Sequence, residues 1–256
     1  IGTVEASGNT YMVTANEGDA REYACLLGGT DPAKVEAEDP RFADVADATV
    51  DSTFKGSGIA GRMKVTQFSP ANVAGTIVTP STKVSNAFAF GTRSFTVWKA
   101  NKLDGVFGAD LVFDSGDAIE RIIAQERSRY FNADWNTSNG LINAPESRSA
   151  SKGPEPEGLA IGKAYGRTWM VLALERDSGL LLYDMTNPVK PMFRQYINTS
   201  ILGGDIRSNT AGDVSPEGVL FLEAEKSPTG KPMVVVSYEL SGTVAFFEVT
   251  APGSSK

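Results

Sequence analysis

The sequence predicts an all-β protein: a β-propeller of about four blades, the first one incomplete, forming part of a larger propeller. Three observations lead there. First, four short apolar runs follow one another: GLAIG from Gly158, TWMVLAL from Thr168, LLLYDMT from Leu180 and MFRQYI from Met192. Tyr165-Gly166-Arg167, the tight Glu175-Arg176-Asp177-Ser178-Gly179 and Asn187-Pro188 separate them, which reads as one four-stranded antiparallel sheet. Second, the pattern returns downstream. Pro216-Glu217-Gly218 precedes VLFLEA as Pro156-Glu157-Gly158 precedes the first run, and MVVVSYE and TVAFFEV follow. Third, one spacing recurs, in which a Gly is followed nine residues later by the Glu that closes an apolar run: Gly8 to Glu17, Gly166 to Glu175, Gly230 to Glu239.

In chain order, TYMVTA from Thr10 is a strand, and the polar, glycine-containing stretch from Asn16 to Tyr23 is a loop. Ile1 falls close before this second-type strand, so the first blade is expected to lack its first strand. Residues 26–61 turn acidic and small without strand or helix period, and read as an insertion loop. GRMKVTQFS from Gly61 is expected to return to the sheet. Asn86 to Phe90 and Ser94 to Trp98 flank Gly91-Thr92-Arg93 like a hairpin, and LVFDSG from Leu111 extends the same blade. Asp117 with Glu120 resembles a capping box for a short helix whose Ile119, Ile122, Ile123 and Tyr130 face one way. Residues 131–152 are loop-like. The partial propeller thus spans 1–250, and residues 251–256 form a small polar tail or linker.

Composition narrows the chemistry. With 41% hydrophobic and 21% charged residues, the 256-residue chain can bury a core. Its net charge is -7 and its Lys and Arg are scattered, which argues against nucleic acid and anionic membranes as partners. There is no His, so a Ser-His-Asp triad, a His-ligated zinc and a His general base are excluded within this chain. Cys25 is the only cysteine, an inert buried thiol or the partner of a cysteine elsewhere. No apolar run reaches the length that crosses a bilayer.

NEGDAREY, FGTRSFTVW, LVFDSGDAIER, KGPEPEGLAIG, GRTWMVLALER, GLLLYD, PEGVLF, SPTGKPMVVV and SGTVAFFEV, taken in this order, resemble the choice-of-anchor I family. The resemblance runs over nearly the whole chain. It implies a large secreted or cell-surface propeller domain, of which this chain is the C-terminal half, with the remaining half outside it. Members are often joined to phosphatase, nucleotidase or nuclease modules. The stretch from Leu26 to Gly61 departs from the shorter segment the family leads one to expect.

In an antiparallel blade the loop entering the first strand and the turn after the second lie on one face. Glu155, Glu157 and Glu217 enter first strands, Glu17, Asp19, Arg21, Glu175, Arg176 and Glu239 follow second strands, and Arg93 sits in the equivalent turn. All are expected at one mouth of the channel. Carboxylates that converge repel or hold a cation, and oxygen donors without His or Cys suit calcium or magnesium, calcium first. Arg21, Arg93 and Arg176 on the same rim offer bidentate contacts to a phosphate or carboxylate. A competing architectural reading has the repeated Pro-Glu-Gly glutamates accept backbone N–H groups or pair with an Arg of the next blade.

Phosphate loops, GxSxG, CxxC and EF-hand loops are absent. Trp98, Trp135, Trp169, Phe246 and Phe247 read as core or edge rather than a sugar platform, and Asn136-Thr-Ser and Asn198-Thr-Ser are glycan acceptors only in a secreted eukaryotic protein. The functional expectation is an extracellular or cell-surface module that binds a surface protein, glycan or phosphorylated ligand. Its alternative is a calcium-dependent phosphohydrolase of the alkaline phosphatase or phytase sort, with no catalytic residue assigned.

Overall fold

A computed structural model describes residues 1–19, 41–44, 52–56, 58, 60–65, 89–103, 105–251 and 253. They divide into two compact units, Ile1–Glu17 with Arg93–Arg148 and Gly153–Lys256, and Gly18–Thr92 with Ser149–Lys152.

The first unit is all-β, with eleven strands in three antiparallel sheets. The first sheet has the order β1 (Gly2–Ala6), β2 (Asn9–Ala15), β3 (Phe95–Leu103), β4 (Val106–Asp114). The second runs β5 (Pro156–Ala164), β6 (Arg167–Leu174), β7 (Gly179–Asp184), β8 (Met192–Asn198). The third comprises β9 (Pro216–Leu222), β10 (Met233–Tyr238) and β11 (Thr243–Glu248), with β10 in the middle.

The seven runs read from the two repeats are all strands, and three expectations upstream need correction. The first sheet is not short of its first strand: Gly2–Ala6 pairs antiparallel with β2 from Gly2↔Val13 to Ala6↔Asn9. That strand leaves no signal in the sequence because only Val4 of GTVEA is buried, and its turn is the short Ser7-Gly8. Ser7 and Gly8 have φ 50° and 72°, and Tyr165-Gly166 between β5 and β6 have 52° and 71°. Positive φ at both central residues is what two-residue type I′ hairpins need, and it matches the twist of the strands they join. Next, the chain does not rejoin the sheet at Gly61. β2 pairs directly with β3, from Ala15↔Phe95 to Tyr11↔Lys99, and Lys64 makes an isolated bridge to Arg41 instead. Finally, the hairpin partner of β3 is β4, not the segment before Gly91. Residues 86–88 lie outside the described residues, as do Cys25 and most of the 26–61 insertion.

Between β4 and β5 sits the helix α1 (Ala118–Glu126), with Ile119 and Ile123 buried as the spacing predicts. The capping box does not form. Asp117 is the N-cap residue but makes no side-chain cap bond; its carboxylate accepts from Arg121 Nε at 2.8 Å, and Glu120 is engaged elsewhere.

The second sheet is covered on both faces. Met170, Leu172, Leu174, Leu181 and Tyr183 pack with Val4, Tyr11, Val13, Phe95 and Val97 of the first sheet and with Ile119 and Ile123. Trp169, Val171, Ala173 and Leu180 pack with Phe221, Val234, Val236 and Tyr238 of the third. Two buried faces explain why β6 reads as an unbroken apolar run rather than an alternating one. The sheets meet through their first strands, where glycines permit close approach. A Cβ on Gly2 would press on Leu159 and Ile161 at 2.7 Å, one on Gly158 would lie 2.8 Å from the Glu217 carbonyl, and one on Gly162 would overlap the Phe221 ring.

The second unit includes 3₁₀ turns at Phe42–Asp44 and Ser52–Lys55. Phe42 and Val65 are buried in it, the Phe42 N–H donates to Met63 and the Ala43 N–H to Gly61.

Candidate functional site

Three backbone segments of the first unit bring carboxylates together. Glu17 follows β2, Glu157 lies at the start of β5, and Glu175 follows β6. The turn before β5 is held open by Glu155 at φ 56°, and its carbonyl accepts the Glu175 N–H at 2.8 Å, which extends the β5–β6 ladder to the rim. The Arg176 N–H adds a second bond, to the Pro154 carbonyl at 3.2 Å. From this frame, one carboxylate oxygen each of Glu17, Glu157 and Glu175 lies within 4.8 Å of the others. Glu175 is 5% exposed, whereas Glu17 and Glu157 are half-buried.

Behind the cluster, Glu155 is fully buried and sits between two guanidinium groups. Arg148 Nη2 pairs with its Oε1, and Arg176 Nε lies 3.3 Å from its Oε2. Arg176 also reaches Glu175 Oε1 through Nη2 at 2.9 Å, and the Ser215 hydroxyl donates to that oxygen at 3.4 Å. Arg93 is turned to a neighbouring group: its Nη1 lies 3.1 Å from Glu120 Oε1, which also accepts from Asn132 Nδ2 at 2.8 Å. Gly153 lies against this pair, where a Cβ would come within 3.0 Å of both Arg93 Nη1 and Glu120 Oε1.

The electrostatics follow from burial. Loss of hydration pushes the Glu175 carboxyl from 4.5 up to about 8. Arg176 opposes this, but Glu155 and Glu157 reinforce it, and Arg176 divides its charge between Glu155 and Glu175. At neutral pH the Glu175 carboxyl therefore favours its protonated form. The donors of the three-residue cluster are all carboxylate oxygens, which hard cations such as calcium favour and zinc or copper do not.

Of the residues singled out in the sequence, Glu17, Glu157 and Glu175 come together, and Glu155 and Arg176 stand beside them. Glu217 and Glu239 are exposed on the third sheet. Asp19 belongs to the second unit, where it pairs with Lys152 at 3.2 Å. Arg21 lies outside the described residues. The architectural reading concerned the Pro-Glu-Gly glutamates Glu157 and Glu217; the residue that pairs with two arginines is instead Glu155, two positions before Glu157. Arg148, Glu120 and Asn132 were not foreseen. Arg148 stands in an irregular loop with no period to place it, and the spacing of Glu120 from Asp117 points to a helix cap instead.

Trp135 and Trp169 are core residues, 4% exposed each. Both Asn-Thr-Ser tripeptides are engaged internally. Asn198 Nδ2 donates to the Asp177 carbonyl at 2.9 Å and to Tyr196 Oη at 2.9 Å, and Asn136 Nδ2 lies 3.3 Å from Asn143 Oδ1. Among the described residues, no helix is long and apolar enough to cross a membrane.

Two curated proteins are similar to this chain. Gigasin-3a of Magallana gigas is 27% identical over 168 residues, covering 63% of this chain and 57% of its own length. The mesenchyme-specific cell surface glycoprotein of Strongylocentrotus purpuratus is 26% identical over 193 residues, covering 71% of this chain and 24% of its own. The chain thus spans about half of one relative and a quarter of the other. No solved structure matches it. The choice-of-anchor I domain profile matches residues 1–188, most of the chain, and the chain belongs to the choice-of-anchor I family.

Proposed function

We propose that this chain is part of an extracellular, surface-associated β-propeller that serves as a binding or scaffolding module, with a calcium ion held by Glu17, Glu157 and Glu175. The carrying observation is the convergence of those three carboxylates from three segments, two belonging to the second sheet and one to the first. A cation there acts as a clasp between sheets and offsets the mutual repulsion of the converging carboxylates. The surface location is supported by family membership and by the relative named as a cell surface glycoprotein. The propeller reading is supported by sheets that stack through their first strands, β1 against β5 and β5 against β9, as blades do about an axis.

The scaffold is favoured over a phosphohydrolase because, among the described residues, the guanidinium groups expected to meet a phosphate, Arg93 and Arg176, are engaged with carboxylates of the protein. Arg176 and Arg148 face Glu155, and Arg93 faces Glu120. Calorimetry of metal-free protein tests the proposal. With calcium binding in the millimolar range usual for extracellular modules, 10 mM calcium at a Kd of about 1 mM stabilises by about 1.4 kcal/mol. That raises the melting temperature by roughly 3 °C for a chain of this size. Glu157→Gln is expected to lose most of the rise. A melting temperature indifferent to calcium overturns the metal site. Turnover of a chromogenic phosphate ester that vanishes with chelator and with Glu157→Gln overturns the scaffold reading in favour of the enzyme.

A further inference from the structure

The end of the second sheet away from Glu175 gathers two arginines on one buried acid. Arg167 opens β6, Asp184 closes β7 and Arg194 lies in β8. Arg167 Nη1 and Arg194 Nη2 both meet Asp184 Oδ2, the latter at 3.1 Å. Asp184 is 4% exposed, and its other oxygen accepts the Thr186 N–H at 3.0 Å. Burial works against its ionisation, but the bonds from Thr186, Arg194 and Arg167 outweigh that and bring its carboxyl down to about 2. The acid is a fixed anion that holds two cations side by side.

One of the two cations belongs to the repeat. In the third sheet Lys231 pairs with Glu248, and Met233↔Glu248 answers to Trp169↔Asp184, so Lys231 stands where Arg167 does. Arg194 is the addition, and a β-bulge places it. The pairing steps from Leu182↔Gln195 to Tyr183↔Phe193 and leaves Arg194 as the extra residue, and a bulge re-aims the side chain it carries. The first sheet has the same kind of irregularity, between Val97↔Phe113 and Trp98↔Leu111, but there the extra residue is Val112. The bulge is thus architectural, and the guanidinium is particular to this corner. Exposed ion pairs add little stability, so a second arginine on Asp184 is more than the fold requires.

Both arginines keep donors for a ligand. Their side chains are 44% and 37% exposed, and beyond Asp184 the described residues accept from them only at Met192 Sδ, 3.7 Å from Arg194 Nη2. The corner is positive in an acidic chain: residues 165–167 and 184–194 hold Arg167, Lys190 and Arg194 against Asp184 alone. It lies in mid-chain, in a sheet whose two faces are packed by sheets of the same chain. We propose that Arg167 and Arg194 bind a single oxyanion, a sulfate or phosphate monoester on an otherwise uncharged ligand. Guanidinium groups match such oxygens with paired N–H donors, and two of them already fixed by one acid lose little freedom on binding. The net charge of -7 turns away polyanions and leaves an isolated anion as the ligand this corner attracts. Val189 and Met192, exposed in the same segment, offer apolar surface to the body that bears it.

The probes are phenyl sulfate and phenyl phosphate, with phenol as the uncharged control, followed through the arginine Nε–Hε NMR signals. Those of Arg167 and Arg194 are expected to move together with a Kd of about 1 mM, the affinity that two charge-assisted contacts supply. The tighter ester names the kind of ligand served, and equal affinities mean that the shared anion alone is read. Arg167→Gln and Arg194→Gln are each expected to weaken binding about tenfold. Should a Gln variant unfold the protein, Arg194→Lys replaces it, which keeps the charge but not the fork and is expected to lose about threefold. Lys231→Gln removes one charge from the matching place on the third sheet and leaves binding unchanged. Chelator and Glu157→Gln also leave it unchanged, which separates this proposal from the cation site. Shifts with phenol as large as with the esters, undiminished affinity in the arginine variants, or no movement of either signal at millimolar ester overturns it.

Discussion

Glu155 and Ser215 occupy the same turn position at the entry to the second and third sheets. Their φ values are 56° and 65°, each precedes Pro-Glu-Gly, and each carbonyl accepts the N–H of the Glu that follows the neighbouring strand, Glu175 at 2.8 Å and Glu239 at 2.7 Å. One backbone device thus carries two different side chains. With Glu at the turn, two arginines are drawn in behind the rim; with Ser, the following Glu239 stays exposed.

Glu155→Ala removes the anion between Arg148 and Arg176 and leaves both guanidinium groups without it. Breaking a buried pair typically costs 3–5 kcal/mol, and since both arginines are partly exposed the lower end, about 3 kcal/mol, is expected. Urea unfolding measures the loss. Glu155→Ser, which copies the third sheet, should cost a similar amount, because the turn survives and the charge does not. A loss below about 1 kcal/mol in both variants would show that the arginines simply turn to solvent.

Glu175 gives the protein a pH dependence. Its carboxyl ionises near 4.5 in the unfolded chain and near 8 in the folded one, so between those values the folded state holds a proton that the unfolded state has released. Stability in chelator is therefore expected to fall as pH rises from about 4.5 to about 8, with the burial penalty complete above that window. Glu175→Gln should flatten this slope, so its advantage over the native protein grows from pH 5 to pH 8. Denaturant unfolding at the two pH values decides the matter.

The same proton links to the cation. If calcium displaces it, calcium affinity rises with pH across that window and binding releases up to one proton at pH 7. Isothermal titration in buffers of different ionisation enthalpy reads the release directly. Release that Glu175→Gln does not reduce would place the ion elsewhere.

A second buried acid anchors α1 to the second sheet. Asp177 is 2% exposed, accepts from Tyr196 Oη at 2.7 Å, and has Arg127 Nη1 3.8 Å from its Oδ1. Arg127→Ala is expected to cost about 3–5 kcal/mol, since it leaves a buried charge without its partner. Tyr196→Phe should cost less, about 1.5–3 kcal/mol, for one hydrogen bond to a charged group. Thermal unfolding of the two variants ranks them, and the reverse order would assign the anchoring to the phenol.

Gly162 marks the closest approach of the second and third sheets. Gly162→Ala puts a methyl into the Phe221 ring and is expected to cost about 1–3 kcal/mol by overpacking. The companion Phe221→Leu should recover part of that loss in the double variant, read as non-additivity in a double-mutant cycle.

Strands β5 to β11 were legible because turn residues punctuate them and because β6, buried on both faces, must be apolar throughout. The Gly-to-Glu spacing also revealed that Glu17 and Glu175 end equivalent strands, since a hairpin of fixed length repeats its register. β1 was illegible because one buried Val in five residues carries no period. Where the glutamates go after leaving their strands was not written in the spacing either. Glu17, Glu175 and Glu239 share it, yet two converge and one faces solvent, because convergence depends on which neighbouring sheet offers a third carboxylate and which turn brings an arginine behind it. The sequence alone determined the strand repeat and the absence of His chemistry. The stacking of sheets decided that Glu155 is neutralised by Arg148 and Arg176 while Glu175, sharing one guanidinium and buried beside other acids, favours its protonated form.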